Sequence, residues 1–110
     1  PPMAGEQIRN VDGVQVLTVD ENDCAGLWRI AEPKLAEGSR AFVLDFAEVE
    51  YLNSMNIAAI ISLRTKLENK GARLALCGLR DQIASIFRIL KLERLFNLGL
   101  DCDAAVNAVK

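Results

Sequence analysis

The sequence predicts an α/β fold in which about four helices pack on a mostly parallel central sheet of four to five strands. Short apolar runs alternate with longer amphipathic runs along the chain, and this alternation is typical of β-α-β units. Two of the short runs are almost wholly apolar, which indicates strands covered on both faces. The length of 110 residues suits one domain.

The chain is expected to begin with a β-hairpin. Residues 14–19, "VQVLTV", alternate apolar and polar side chains as a half-buried strand does. Asp12 and Gly13 are a favoured pair for a two-residue hairpin turn. The partner strand would then contain Ile8 and Val11.

A helix and a central strand are predicted next. Residues 24–37 have helical spacing, and Gly38 is suited to end the helix. Pro33 lacks a backbone N–H and crowds the preceding turn, so the helix either starts late or kinks. Residues 41–46, "AFVLDF", are predicted to form a strand buried on both faces.

The clearest helix is predicted over residues 54–70, with Gly71 directly after it as a stop signal. Residues 73–79, "RLALCGL", read as another buried strand. Asp81 is expected to cap the third helix.

The end of the chain is expected to add a short extended piece at 96–98 and a last helix over 104–109, opened by Asp101. The domain core would therefore span residues 8–109. Residues 1–5 are expected to be disordered or a cloning remnant.

Composition excludes several classes of protein. Hydrophobic residues make up 51% of the chain, charged residues 25%, and the formal net charge is −2. This globular balance gives no reason to expect a nucleic-acid partner. No apolar run approaches the roughly 20 residues that span a bilayer, and the start, "PPMAGEQ", lacks the features of a secretory signal. We expect a cytoplasmic protein without direct membrane insertion.

The chain contains no histidine, which excludes Ser-His and Cys-His nucleophilic pairs and histidine metal ligands. We predict that the protein is not an enzyme and has no catalytic residues, cofactor or metal site. Cys24, Cys77 and Cys102 are too few and too scattered for a disulfide framework, although a single disulfide stays open. Cys77, inside an apolar run, is expected to be a free thiol that packs as a small hydrophobe.

The stretch "YLNSMNIAAI", residues 51–60, places polar residues at the start of the clearest helix. Ser54 is suited to cap this helix, and Asn53 is equally suited. A helix N-terminus also favours an anion. A phosphate on Ser54 would add roughly two negative charges there without destroying the fold. Ser54 is therefore a candidate for a cap, a phosphorylation switch, or both.

The run "FVLDFAEVEYLNSMNIAAIISLRTKLENKGARLALCGL" resembles the core of the STAS domain, the fold of bacterial anti-sigma factor antagonists. The later "LKLERLFNL" and "CDAAVNAV" are similar to the loop and last helix of that family. The resemblance covers residues 8–109, and it implies a single STAS-like domain over residues 1–110.

The resemblance implies a function as well as a fold. In antagonists of this family, a serine after an acidic residue is phosphorylated by an anti-sigma factor that is also a serine kinase, and that position falls on Ser54. Asn53 replaces the acidic residue, and Asn56 stands where the family has glycine. The surface that binds the partner would comprise Asn53, Met55, Asn56 and Asp45.

Asp45 is predicted either to belong to this switch site or to cap nearby backbone N–H groups at the end of its strand. The basic residues around the third helix are either a solvated face, a surface for an acidic partner, or a counter-charge for a phosphate; they are Arg80, Arg88, Lys91 and Arg94.

The resemblance leaves two other functions open. STAS domains also occur in transporters, so the chain is alternatively a cytoplasmic accessory subunit of an ABC-type or anion transporter. Its partner would then be a transporter ATPase subunit. The chain is alternatively a structural member of a larger STAS signalling assembly. A weak homodimer is compatible with each of these functions.

Overall fold

The computed structural model describes residues 7–110. Residues 1–6 lie outside the described part of the chain, so the prediction made for residues 1–5 concerns residues that the structure does not describe. The helices and strands are β1 (Ile8–Val11), β2 (Val14–Thr18), α1 (Leu27–Ala36), β3 (Ala41–Asp45), α2 (Ser54–Asn69), β4 (Arg73–Cys77), α3 (Asp81–Ile89) and α4 (Cys102–Val109).

The four strands form one sheet in the order β1-β2-β3-β4. β1 runs antiparallel to β2, whereas β2, β3 and β4 are parallel. The predicted hairpin is confirmed, because Asp12 and Gly13 link β1 to β2 with φ angles of 54° and 86°. Two consecutive positive φ angles are the requirement of a type I′ turn. The predicted mostly parallel sheet is also confirmed.

The sheet is covered on both faces, as the apolar runs predict. Phe42 and Leu44 of β3 pack into the larger core, beneath α1, α2 and α3. Val43, between them, packs into a smaller core beneath α4. Successive side chains of a strand point to opposite faces, so Asp45 lies on the same face of β3 as Val43.

Three buried aromatic rings form the centre of the larger core. Phe87 of α3 meets Phe46 edge-to-face with ring centroids 6.1 Å apart, and it meets Phe96 at 5.9 Å. Phe87 and Phe96 are both buried, as is Phe46. Phe46 follows β3 directly, so this cluster fixes the start of the loop that leads to α2.

Pro33 lies inside α1 rather than in its first turn, so of the two alternatives the late start is wrong. A 3₁₀ turn at Cys24–Gly26 leads directly into Leu27. Pro33 is exposed, where its ring points away from the core; its missing N–H leaves the carbonyl of Arg29 without its helical donor. Gly38, with φ of 104°, ends the helix as predicted.

Two boundaries near the C-terminus also differ from the sequence prediction. Asp81 is the first residue of α3, and the cap position is Arg80, so the predicted Asp81 cap is wrong. Residues 96–98 form no strand; Phe96 is held there by burial rather than by strand pairing. Asp101 caps α4 as predicted, since its side chain accepts a hydrogen bond from the backbone N–H of Ala104 at 2.8 Å.

Candidate functional site

The N-terminus of α2 is capped by Asn53. The backbone of Asn53 is extended, and its Oδ1 accepts a hydrogen bond from the N–H of Asn56 at 2.8 Å. Ser54 is the first residue of the helix and is exposed. Of the two residues suited to the cap, the structure therefore selects Asn53. The hydroxyl of Ser54 is not needed for that cap, and it faces solvent at the positive end of the helix dipole.

Two large apolar side chains lie exposed beside Ser54 in the sequence. Met55 is 79% exposed and Tyr51 is 62% exposed. Leu52, between Tyr51 and Asn53, is buried and anchors the loop in the larger core. Two exposed side chains of this size within residues 51–55 make this segment a candidate protein-binding surface.

Asn56 connects α2 to a neighbouring loop. Its Nδ2 donates a hydrogen bond to the backbone carbonyl of Glu21 at 2.9 Å. The Glu21 carboxylate in turn accepts from the backbone N–H of Glu50 at 2.8 Å. Asn56 has no positive φ, so the backbone at this position does not require glycine. The Asn56 side chain therefore helps to order the loops near Ser54.

Asp45 lies apart from the other predicted site residues. It is on the face of the sheet that α4 covers, whereas α2 packs on the opposite face. Its Oδ1 accepts a hydrogen bond from the N–H of Ala47 at 2.9 Å, and its Oδ2 lies 3.4 Å from a guanidinium nitrogen of Arg9. This geometry matches the capping alternative, because Asp45 orders the first residues of the β3–α2 loop.

The predicted basic cluster is split between the two ends of α3. Arg80, at its start, donates to the carbonyl of Ala47 at 3.0 Å and pairs with Glu50 at 3.7 Å. Arg88 is eight residues further, roughly 12 Å along the helix axis. Only Arg80 therefore touches the loop that leads to Ser54.

A family model described as the STAS domain matches residues 11–105. The chain belongs to the STAS domain family. No curated protein sequence matches it.

Solved structures resemble this STAS domain over nearly its whole length. They include an anti-sigma factor antagonist from Mycobacterium paratuberculosis (22% identity, 93% of this chain and 90% of that chain, TM-score 0.75). A second is a chain of the stressosome, described as a signal integration and transduction hub (19% identity, 93% of this chain and 94% of that chain, TM-score 0.72). A third is a sulfate transporter family protein from Wolinella succinogenes (18% identity, 92% of this chain and 88% of that chain, TM-score 0.70). At these low sequence identities, the structural similarity establishes the fold alone.

Within residues 7–110 of this STAS domain, no helix has the length and apolar character to cross a bilayer.

A disulfide joins Cys77, at the end of β4, to Cys102, at the start of α4, with Cα atoms 5.0 Å apart. The expectation that Cys77 is a free thiol is therefore wrong. The two residues are 25 positions apart in sequence, and only the packing of α4 beneath the sheet brings them together. Cys24 is the free cysteine of the described chain and is buried.

Thiol counting tests this pairing. Native oxidised protein is expected to react slowly with iodoacetamide, because burial, helped by Asp20 and Asp23, raises the pKa of Cys24 to about 11. After unfolding, mass spectrometry should find one alkylated cysteine without reductant and three with it. Three alkylated cysteines in unreduced, unfolded protein would contradict the disulfide.

The same pKa shift has a consequence for stability. The folded-state pKa of Cys24 is higher than the ordinary thiol pKa of 9.0, so the thiolate is favoured in the unfolded chain. The free energy of unfolding should thus be unaffected below pH 9 and should fall as the pH rises from 9 towards 11. The Cys24→Ser variant should lack this alkaline decrease in urea titrations.

The two neighbouring polar residues at the start of α2 should differ in their effect on stability. Asn53→Ala is expected to lower the free energy of unfolding by about 1 kcal/mol, because it removes the acceptor for the N–H of Asn56. Ser54→Ala should change it by less than about 0.5 kcal/mol, as an exposed substitution without a capping role does. Urea denaturation of both variants checks this. A larger loss for Ser54→Ala would place the cap on the serine instead.

Tyr51 was not among the predicted site residues, but its exposure makes it a candidate for the same surface. An aromatic residue in a polar loop, three positions before the acceptor candidate, was the available signal. Its exposure could not be read from the pattern, since the neighbouring Leu52 is buried.

Proposed function

We propose that this STAS domain is a regulatory binding module of the anti-sigma factor antagonist type, switched by phosphorylation of Ser54. Its partner would be an anti-sigma factor that is also a serine kinase. The observation that carries the proposal is the exposure of Met55 and Tyr51 around an exposed serine at a helix N-terminus. The domain itself would bind and be modified, without catalysing a reaction.

The docking surface in this proposal comprises Tyr51, Asn53, Ser54, Met55 and the exposed edge of Asn56. Met55 and Tyr51 supply apolar anchors, the kind of residue that carries most of the binding energy in an interface. Asp45 would act at a distance, since its hydrogen bond to Ala47 orders the loop that carries Tyr51.

The charge around this surface favours a partner with a basic rim. The loops before α1 and α2 carry exposed carboxylates on Asp23, Glu48 and Glu50 and half-buried ones on Asp20 and Glu21. Glu21 connects these loops to the start of α2 through its hydrogen bonds with Asn56 and Glu50. Two of the carboxylates are partly offset by ion pairs, Glu50 by Arg80 at 3.7 Å and Asp23 by Arg29 at 3.3 Å. Complementary charge raises the association rate and selects the partner.

Phosphorylation would act on recognition rather than on folding. Ser54 is in the first turn of α2, where the helix dipole and free N–H groups tolerate a phosphate. The same phosphate would add two charges beside Met55, in the centre of the docking surface. Closing the interface would remove the water that hydrates this phosphate, and this desolvation costs binding free energy unless the partner supplies counter-charges.

The test is to recover the partner by affinity purification, incubate it with the domain and ATP, and map phosphate by mass spectrometry. We expect one phosphate, on Ser54, which is absent from Ser54→Ala. Ser62→Ala is the matched control, because Ser62 is an exposed serine on the same helix. A recovered kinase that leaves Ser54 unmodified would contradict the switch. Recovery of a transporter ATPase subunit would support the accessory-subunit alternative instead.

Met55 tests the docking surface separately from the switch. Met55→Ala is expected to weaken partner binding roughly tenfold or more, since a buried anchor typically contributes over 1 kcal/mol. Its high exposure means that the stability of the free domain should change little. Isothermal titration with unphosphorylated protein checks the affinity. Unchanged binding by Met55→Ala would place the docking surface elsewhere on the domain.

A further inference from the structure

Three groups with metal-binding chemistry meet on the face of the sheet opposite α2. They are the carboxylate of Asp45 and the sulfurs of Cys77 and Cys102, whose ligand atoms all lie within 4.8 Å of one another. Asp45 and Cys77 are direct partners in the parallel pairing of β3 and β4. Cys102 is the first residue of α4, which packs beneath both strands. The sequence shows no metal-ligand spacing because these residues come from three separate elements.

The backbone around the cluster is shaped to admit the carboxylate. Gly78 follows Cys77 with φ of +70°, and a Cβ built there would lie 3.1 Å from Oδ1 of Asp45. The N–H of Ala47 donates to the same oxygen at 2.9 Å. Such a hydrogen bond from outside the ligand set fixes the orientation of a metal-binding carboxylate.

We propose that Asp45, Cys77 and Cys102 form a binding site for a thiophilic divalent cation of the zinc class when the two cysteines are reduced. The disulfide and the bound cation are then alternative states of one site. Thiolate ligands favour zinc over magnesium or calcium, and carboxylate oxygen is a common additional ligand of zinc.

The distances suit this ion. Zinc–sulfur bonds of about 2.3 Å and zinc–oxygen bonds of about 2.1 Å in a tetrahedron place neighbouring ligand atoms roughly 3.6–3.8 Å apart. The ligand atoms of the three groups already lie within 4.8 Å of one another, so we expect side-chain rotation to reach this spacing once the sulfur–sulfur bond is opened. Asp45 and Cys102 are half-buried rather than enclosed, which leaves the fourth position to water.

The charges balance as well. Two thiolates and one carboxylate carry three negative charges, while the cation contributes two positive charges. The third positive charge is supplied by Arg9, which already lies 3.4 Å from Asp45. A site of net zero charge avoids the penalty of an uncompensated charge near the core.

Conversion between the two states is a balanced exchange with a dithiol reductant. The dithiol gives two electrons and two protons to the Cys77–Cys102 bond, so that each sulfur becomes a thiol, and its own two sulfurs join as a disulfide. Cation binding then displaces the two thiol protons. Either the disulfide or the cation would tie the end of β4 to the start of α4.

The test is a cobalt titration of the protein reduced with a phosphine, without oxygen. Co²⁺ should bind once per chain with thiolate-to-cobalt charge-transfer absorption, and Zn²⁺ should displace it. The oxidised protein, of identical sequence, should show no such absorption. Absence of the absorption in the reduced protein would overturn the proposal without any mutation.

Two variants test the proposed ligands, and a third is a control. Cys102→Ser should lose the charge-transfer absorption, and Asp45→Asn, which keeps an acceptor for the N–H of Ala47, should bind Co²⁺ at least tenfold more weakly. Cys24→Ser is the matched control and should bind as the native domain does, because Cys24 belongs to the core on the other face of the sheet. Full binding by Cys102→Ser or Asp45→Asn, or loss of binding in Cys24→Ser, would overturn the assignment.

Discussion

The Ser54→Glu variant is expected to bind the proposed kinase partner at least ~100-fold more weakly than the native domain, a loss of about 2.8 kcal/mol. The side chain at position 54 is exposed next to Met55, which is the apolar anchor of the proposed docking surface. A carboxylate there would lose its water when the interface closes. A partner surface fitted to the neutral hydroxyl of serine would have no counter-charge at this central position, so the buried carboxylate would stay unpaired.

The same substitution should not weaken the fold. A negative side chain in the first turn of a helix is favourable by about 0.3–1 kcal/mol, because it opposes the helix dipole. Ser54→Glu should therefore unfold at the same temperature as the native domain or slightly higher. Titration calorimetry and thermal unfolding measure the two effects separately.

Ser62→Glu is the control for charge alone. Ser62 is exposed on α2 and is eight residues, roughly 12 Å, beyond Ser54. The Ser62→Glu variant should have a partner affinity within about threefold of the native value. Equal losses in both variants would indicate a general charge effect, and a lower unfolding temperature for Ser54→Glu would indicate damage to the helix start.

Local patterns were sufficient to predict most of the fold. The hairpin followed from Asp12 and Gly13, and the apolar run 41–46 correctly indicated a strand between two cores. These features depend on the chemistry of neighbouring residues, which the sequence displays directly. The position of α2 and its stop at Gly71 were likewise set by periodicity and by a residue that tolerates φ of 75°.

Features that depend on distant packing could not be predicted. Cys77 and Cys102 are brought together only because α4 returns beneath the sheet. Alternation along β3 could have shown that Asp45 and Val43 share a face, but not which helix covers that face. The choice of Asn53 over Ser54 as the cap turns on a one-residue difference in where the helix begins, which propensities do not resolve.

Phe87→Ala should cause the largest loss of stability that a single substitution produces near the site, about 3–5 kcal/mol. Phe87 is fully buried and meets both Phe46 and Phe96 edge-to-face. Alanine would leave a cavity lined by the other two rings, and it would remove two aromatic contacts that contribute beyond their buried area. At roughly 4 °C per kcal/mol for a domain of this size, the unfolding temperature should fall by at least ~12 °C.

The loss should also reach the docking surface, because Phe46 begins the loop that carries Tyr51 and leads to Ser54. Hydrogen exchange of residues 47–53 should therefore accelerate in Phe87→Ala at temperatures where the domain is still folded. Ile89→Ala is the matched control, since Ile89 is on the same helix but 79% exposed; it should change stability by less than about 0.5 kcal/mol. Comparable unfolding temperatures for the two variants would show that the three rings do not form the centre of the core. If Phe87→Ala is destabilised but hydrogen exchange in residues 47–53 is unchanged, the aromatic cluster does not order the loop that leads to Ser54.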